Sequence, residues 1–471
     1  MAATDAPTAL SLRGAWIWIH RWVGLLMVPV LVIEGVTGSL VAFRAPLSRW
    51  LAPAHYARAP ASGAAPLALG ELATKVQAHI GPHARVAYFF DGSERGQTMV
   101  RVGPATDAAT GKPYAMDFGW VAVDPWTGTE LARYSNDGYT AGVLPNVMPF
   151  MYRLHTTLTL GDLGYWILGL TAIAWTLDCL YALYLTFPRG RHRFFHRWKK
   201  AWTIKTKAGA FRINFDLHRA GGLWLWALFL VFAWSSVQLT LNQVYEPVMA
   251  TFFDYRTIDR EIGDLPQRPS TTPPKLDWIA AQAAGNALIA ERARIEGFKP
   301  LRSTMMAYFG PNGIYSYSVT TDRAFPDFSE YNVWFDADTG ELFRILRSNG
   351  EHTGNTITNW LRALHFAADP MDQPWYRWLI CITGLYTVVL CATGVYIWWK
   401  KRSSRRWSAR RASFRRRRIE LVHRPLVDDA GPHRDCLTED GAGHCARIEL
   451  QAQGIPKSAA GPDQRPAAPG F

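Results

Sequence analysis

The chain has 471 residues, 49% of them hydrophobic and 21 of them Trp, yet its mean hydropathy is only −0.07. That excludes a single ordinary domain and a compact apolar bundle, and requires long apolar segments alternating with sizeable polar ones. The net charge of +13 is localised: residues 189–212 and 400–418 hold 20 of the 51 Lys and Arg and no acid, leaving 31 bases against 38 acids elsewhere, and because both blocks directly follow apolar spans they mark the positive side of a membrane and not a nucleic-acid surface.

In chain order, residues 1–15 precede a first apolar segment at 16–43. That segment is longer than the apolar region of a secretory signal and has no small-residue cleavage site behind it, so it reads as an uncleaved anchor. Residues 44–150 are polar, with helical periodicity at 67–80 and alternation at 84–90, 97–102 and 117–124. Residues 151–187 combine an interfacial segment with a second span from Leu163, and 188–212 are the first basic loop. A third span occupies 213–245. Residues 246–360 repeat the polar pattern, with helical periodicity at 275–292 and alternation at 302–309, 314–320 and 331–336. Residues 361–399 hold a second interfacial segment and the fourth span. The basic tail 400–471 is rich in Pro, Ala and Gly from 419 and is expected to be disordered.

Each apolar segment exceeds the roughly 20 residues needed to cross a bilayer, and Trp16, Trp18, Trp198, Trp202, Trp375, Trp378, Trp398 and Trp399 mark the interfaces. Four spans leave both termini on one side, which the basic blocks make cytoplasmic. The two polar loops then lie outside. Neither contains a Cys, so disulfides do not hold them. Each ends in a matching turn, Asp124-Pro-Trp-Thr-Gly128 and Asp336-Ala-Asp-Thr-Gly340, whose glycine suits a hairpin. Each is therefore expected to be a small α+β domain.

The halves echo each other. His20-Arg21-Trp-Val-Gly24-Leu25 matches His218-Arg219-Ala-Gly-Gly222-Leu223, and Tyr152-Arg153-Leu154-His155 matches Leu361-Arg362-Ala-Leu-His365. The expected fold is thus a membrane α-helical protein, four transmembrane helices in a duplicated helix–outer domain–helix unit. Topology sorts the histidines into His20 with His218 toward the cytoplasm and His155 with His365 toward the outside. A lone His-Arg pair at an interface is more often an anchor than a ligand. Four in register across a repeat point instead to axial imidazoles of haem, two per iron, with no open position and so suited to electron transfer. Arg21, Arg153, Arg219 and Arg362 lie beside them, where guanidinium matches haem propionate.

Glu34 and Asp178 fall inside spans and read either as proton relays or as hydrogen-bonded helix contacts. His192 and His196 belong to the basic rim. His433, Cys436, His444 and Cys445 have metal-ligand chemistry but no firm spacing, and Arg415–Arg418 reads as a lipid-surface contact. No phosphate-cradling loop, dinucleotide fingerprint or nucleophile elbow is present, so an electron donor must be separate.

On these motifs, from the His-Arg-Trp-x-Gly-Leu opening through the paired Thr-Gly turns to Asp216-Leu-His218-Arg219 and Leu364-His365, the chain resembles the PepSY-associated transmembrane proteins over about residues 14–400. The resemblance implies that both outer loops are periplasmic PepSY-like domains. It implies that His20, His155, His218 and His365 ligate two haems b. It also implies a ferric-siderophore reductase of the bacterial inner membrane, acting in iron uptake, with no catalytic side chain beyond the haems. Its partners would be the lipid bilayer, a ferric siderophore and an unidentified electron donor, with no nucleic acid. Two other readings remain: a non-enzymatic membrane sensor or regulator whose outer domains bind a partner, and a transport component for a metal complex.

Overall fold

The computed structural model describes residues 11–256, 272–323, 330–347, 350–368 and 371–422, with side chains through 404. Helix α1 (Leu12–Val41) opens under the Ser11 side chain, which accepts from the Gly14 N–H at 3.2 Å. A short α2 (Arg44–Leu51) leads to α3 (Leu69–Ile80) and strands β1 (Ala84–Phe90), β2 (Thr98–Pro104), β3 (Trp120–Val123) and β4 (Glu130–Tyr134). The chain returns through α4 (Val147–Thr157) and α5 (Asp162–Thr186), and α6 (Phe194–Trp198) lies in the basic loop. Helices α7 (Ala210–Trp224), α8 (Trp226–Thr240) and α9 (Asn242–Phe252) follow. The pattern then repeats as α10 (Trp278–Glu296), β5 (Pro300–Phe309), β6 (Ile314–Thr321), β7 (Glu330–Asp336), β8 (Leu342–Arg347), α11 (Thr353–Phe366) and α12 (Pro374–Val422).

Among the described residues three helices are long and apolar enough to cross a membrane singly: α1, α5 and the Pro374–Ser404 part of α12. The fourth candidate is the pair α7 and α8, and here the expectation of one continuous span is corrected. The helix breaks at Leu225 (φ −105°, ψ 7°) and bends by 67°. Two features converge on the break. Gly221 and Gly222 lower helix stability just before it. The Tyr386 ring of α12 occupies the place where a Gly221 side chain would be, and its hydroxyl donates to Leu217 O at 3.1 Å.

The outer segments also differ from expectation. They do not form two separate domains but share one antiparallel sheet of eight strands, ordered β4-β3-β2-β1-β5-β6-β7-β8. The seam is β1 on β5, with Tyr88 opposite Ala307, Phe89 opposite Met306 and Phe90 opposite Met305. Helices α3 and α10 lie side by side on one face. Leu69, Leu72, Ala73, Val76 and Ile80 form one buried stripe of α3. Tyr315, Tyr317 and Val319 of β6 face the same core at every second residue. Gly70 N donates to Gln282 Oε1 at 2.6 Å, so the two helices touch backbone to side chain.

Both Thr-Gly turns are hairpins of the same design. Asp124 Oδ1 accepts from Trp126 and Thr127 N–H at 2.7 and 3.3 Å, and Asp336 Oδ1 from Asp338 and Thr339 N–H at 2.8 Å each. Gly128 and Gly340 sit at φ +73° and +74°, where a β-carbon would be strained.

The tail is corrected in part: residues 400–422 continue α12 as helix. Positions 423–471, with His433, Cys436, His444 and Cys445, lie outside the described residues. The side chains of Arg415–Arg418 lie outside them too. His192 and His196 are exposed.

Candidate metal-ligating histidine pairs

The four sequence-singled histidines gather as two pairs at two levels of the helical bundle. At the end remote from the sheet, His20 of α1 and His218 of α7 have ring centres 6.1 Å apart and planes inclined at 60°. His20 Nδ1 is 2.8 Å from Asp178 Oδ1 of α5. His218 Nδ1 is 3.1 Å from both Leu390 O and Thr393 Oγ1 of α12. A carboxylate and a carbonyl can only accept, so the proton of each ring sits on Nδ1 and the lone pair is left on Nε2. Gly394 stands against the His218 ring, 3.2 Å from its Cε1 to where a β-carbon would be.

At the sheet end stand His155 of α4 and His365 of α11, held by partners on α1 and α8. His155 Nδ1 is 2.9 Å from Glu34 Oε2 and 3.1 Å from Thr37 Oγ1, both on α1. His365 Nδ1 is 2.7 Å from Ser235 Oγ of α8. That hydroxyl already donates to Val231 O at 2.7 Å, so toward the ring it accepts. The tautomer is again Nδ1–H with a free Nε2. Gly38 lies against His155 as Gly394 lies against His218, with 3.0 Å from the would-be β-carbon to Cε1. Among the described residues no side chain or backbone group hydrogen-bonds to Nε2 of any of the four.

The sequence pattern of the PepSY-associated TM region matches residues 17–401, which take in nearly all of the candidate spans, the sheet and the four histidines. The chain belongs to the PepSY-associated transmembrane family. No curated protein matches it.

In this family member the arginines beside the histidines divide two and two. Arg219 donates to Asp216 Oδ1 at 2.8 Å and to Lys200 O at 2.9 Å. Arg153 is ion-paired with Asp137 and lies over the Tyr139 ring at 5.5 Å. Both are committed to protein partners. Arg21, half-buried, and Arg362, exposed, take no hydrogen-bond or ion-pair partner among the described residues. Asp216 is wholly buried and also accepts from Arg212 Nε at 2.9 Å and Lys205 N at 3.3 Å. It thereby pins the basic loop to the start of α7, two residues before His218.

Chemically, each level offers two imidazole lone pairs. Among the described residues no group of three or more His, Cys, Asp or Glu is placed to hold a bare ion, and a bare structural ion takes about four ligands. Two imidazoles per site suit a metal that brings its remaining ligands with it. A metal–imidazole bond is about 2 Å and the ring nitrogen lies about 1 Å from its ring centre, so two axial rings have centres roughly 6 Å apart. The His20–His218 spacing of 6.1 Å agrees. The sequence marks Glu34 and Asp178 as proton relays or hydrogen-bonded helix contacts, and the structure makes both hydrogen-bonded contacts to histidines; the sequence gives no sign of Ser235, Thr37, Thr393 or Leu390 O. Small hydroxyl residues in spans carry no signal that distinguishes a histidine partner from a helix back-bond.

Proposed function

We propose that this protein is a di-haem oxidoreductase of the bacterial inner membrane that passes electrons across the bilayer to ferric iron held in a siderophore. The observation that carries the reading is the common state of the four histidines: Nδ1 tied to a partner, Nε2 free, and the rings gathered in pairs at two levels. Metal-bound histidines characteristically have their other ring nitrogen hydrogen-bonded in this way. On α1, His20 and the Glu34 that holds His155 are 14 residues apart, about 21 Å of helix. Two centres at those levels divide a bilayer crossing into short steps.

Haem b would supply a one-electron ferric/ferrous couple at each level. His20 and His218 would hold one and His155 and His365 the other, through their free Nε2 atoms. Gly38 and Gly394 leave room for the rings. Arg21 and Arg362, without protein partners, would face propionates more readily than the committed Arg153 and Arg219. One electron enters from a separate donor and one leaves to Fe(III) of the siderophore complex. Hard oxygen ligands hold Fe(II) less well than Fe(III), so reduction releases the metal. In this reading the chain is a duplicated helix–outer domain–helix unit. Its two PepSY-like halves form a periplasmic docking platform, and both termini are cytoplasmic.

The test is a reduced-minus-oxidised spectrum of purified protein with haem counted per chain. A low-spin b-type signal at about two haems per chain is expected, two being what two histidine pairs require. His20→Ala or His218→Ala should remove one haem, and His155→Ala or His365→Ala the other. No haem after reconstitution with haemin sinks the reading and leaves the sensor alternative. Full haem content in all four variants sinks the ligand assignment.

A further inference from the structure

Glu34 of α1 and Asp178 of α5 stand inside the spans, where an ionised side chain is expensive, and each is placed on a histidine. Asp178 lies 2.8 Å from His20 Nδ1, and Glu34 lies 2.9 Å from His155 Nδ1. The opposite ring of each pair has an uncharged partner: Leu390 O with Thr393 Oγ1 for His218, and Ser235 Oγ for His365. Each pair thus joins one carboxylate-backed imidazole to one neutrally backed imidazole. Orientation alone does not need the charge, because the neutral partners fix the same tautomer. What a carboxylate adds is electron density: it draws the Nδ1 proton toward itself and strengthens Nε2 as a donor. Glu34 Oε1 is buried and has no hydrogen-bond partner, so no second bond disperses that charge.

We propose that Asp178 and Glu34 set the reduction potentials of the two metal centres, one carboxylate for each, by placing negative charge behind one axial imidazole. The inference rests on the haem reading above. The couple is Fe(III) plus one electron from an external reductant giving Fe(II), with no bond broken and no proton transferred. Negative charge near the iron favours the ferric form, so both carboxylates hold the potentials down. They are positioning residues, acting through His20 and His155.

The experiment is a spectroelectrochemical titration of the full chain in detergent, with dithionite and ferricyanide as reductant and oxidant. The two couples are first assigned from His20→Ala and His155→Ala. Asp178→Asn should raise only the couple of the His20–His218 pair, and Glu34→Gln only the other. Ser235→Ala, which removes an uncharged partner, should shift the sheet-end couple less than Glu34→Gln does. Wild-type potentials in both amide variants, or a shift of the wrong couple, overturn the proposal while leaving haem binding intact. If the amide variants lose haem, Asp178→Glu and Glu34→Asp decide. Retained haem with a low potential in these supports a role for charge, whereas loss in these too overturns it in favour of side-chain length. Wild-type protein without haem overturns the underlying reading and this inference together.

Discussion

Gly38 and Gly394 do the same work at opposite ends of the bundle, each giving its backbone surface to the Cε1 edge of a histidine, at 3.0 and 3.2 Å from a would-be β-carbon. A branched side chain in either place must displace the ring, because the helix backbone behind it cannot retreat. On the proposed di-haem reading, Gly394→Val is therefore expected to cost the haem of the His20–His218 pair and spare the other, halving the haem count. Gly38→Val should do the converse. Loss of both haems in either variant would show that the residue supports the bundle and not one ring. At this scale the four histidines were legible, because repetition in register singled them out of thirteen. Their partners were not. Asp178 meets His20 across 158 residues and Ser235 meets His365 across 130, and such pairings depend on how helices rotate against each other, which a single span's composition does not encode. The arginines show the opposite error: adjacency to a histidine predicted four equivalent roles, whereas Asp216 and Asp137 claim two of the four.

The hairpins could be read off the Asp-x-x-Thr-Gly pattern because a turn is a local structure whose side-chain and glycine requirements lie within five residues. The break at Leu225 could not, since an apolar run with a Gly-Gly step spans as well straight as bent. The Tyr386 ring that fills the bend comes from 165 residues away. Another element is held by a titrating contact. The stretch between α2 and α3 is fastened to the sheet where His55 Nδ1 lies 2.9 Å from the Tyr134 hydroxyl and His55 O accepts from Gln97 at 2.7 Å. Burial lowers the pKa of His55 below its ordinary 6.5 and, as the main cause, pushes the phenol of Tyr134 up to about 12. The folded state thus binds a proton at His55 less readily than the unfolded chain does. The stabilising contribution of His55 is present above pH 6.5 and is lost as pH falls from there through the lower, folded value. Thermal midpoints of the full chain measured from pH 7.5 down to 5 should fall, and His55→Gln should flatten that fall. An identical pH profile in the variant would place the sensitivity elsewhere.

For the molecule as a whole, hydropathy and charge sufficed to find the apolar segments and to separate them from the polar loops. What they could not disclose is that the two outer segments close into one sheet through β1 (Ala84–Phe90) and β5 (Pro300–Phe309), far apart in sequence. Strand pairing between β1 and β5 is non-local, and both strands carry the alternation that an edge strand of an isolated domain would also show. The consequence is mechanical. Phe89 sits on the seam opposite Met306, both are fully buried, and Phe89 also meets the Trp278 ring of α10 at 6.0 Å. Across the same seam Asp91 N donates to Thr304 O at 2.8 Å, and Arg302 pairs with Glu94 at 2.6 Å. A side chain that belongs equally to both halves couples their unfolding. Phe89→Ala is expected to cost about 3–5 kcal/mol and to weaken both halves together. Amide hydrogen exchange in β2 and in β6, each one strand removed from the seam, should accelerate by similar factors in this variant. Faster exchange in β2 with β6 unchanged would mean that the halves open independently and that the shared sheet is a contact between two domains, not one platform.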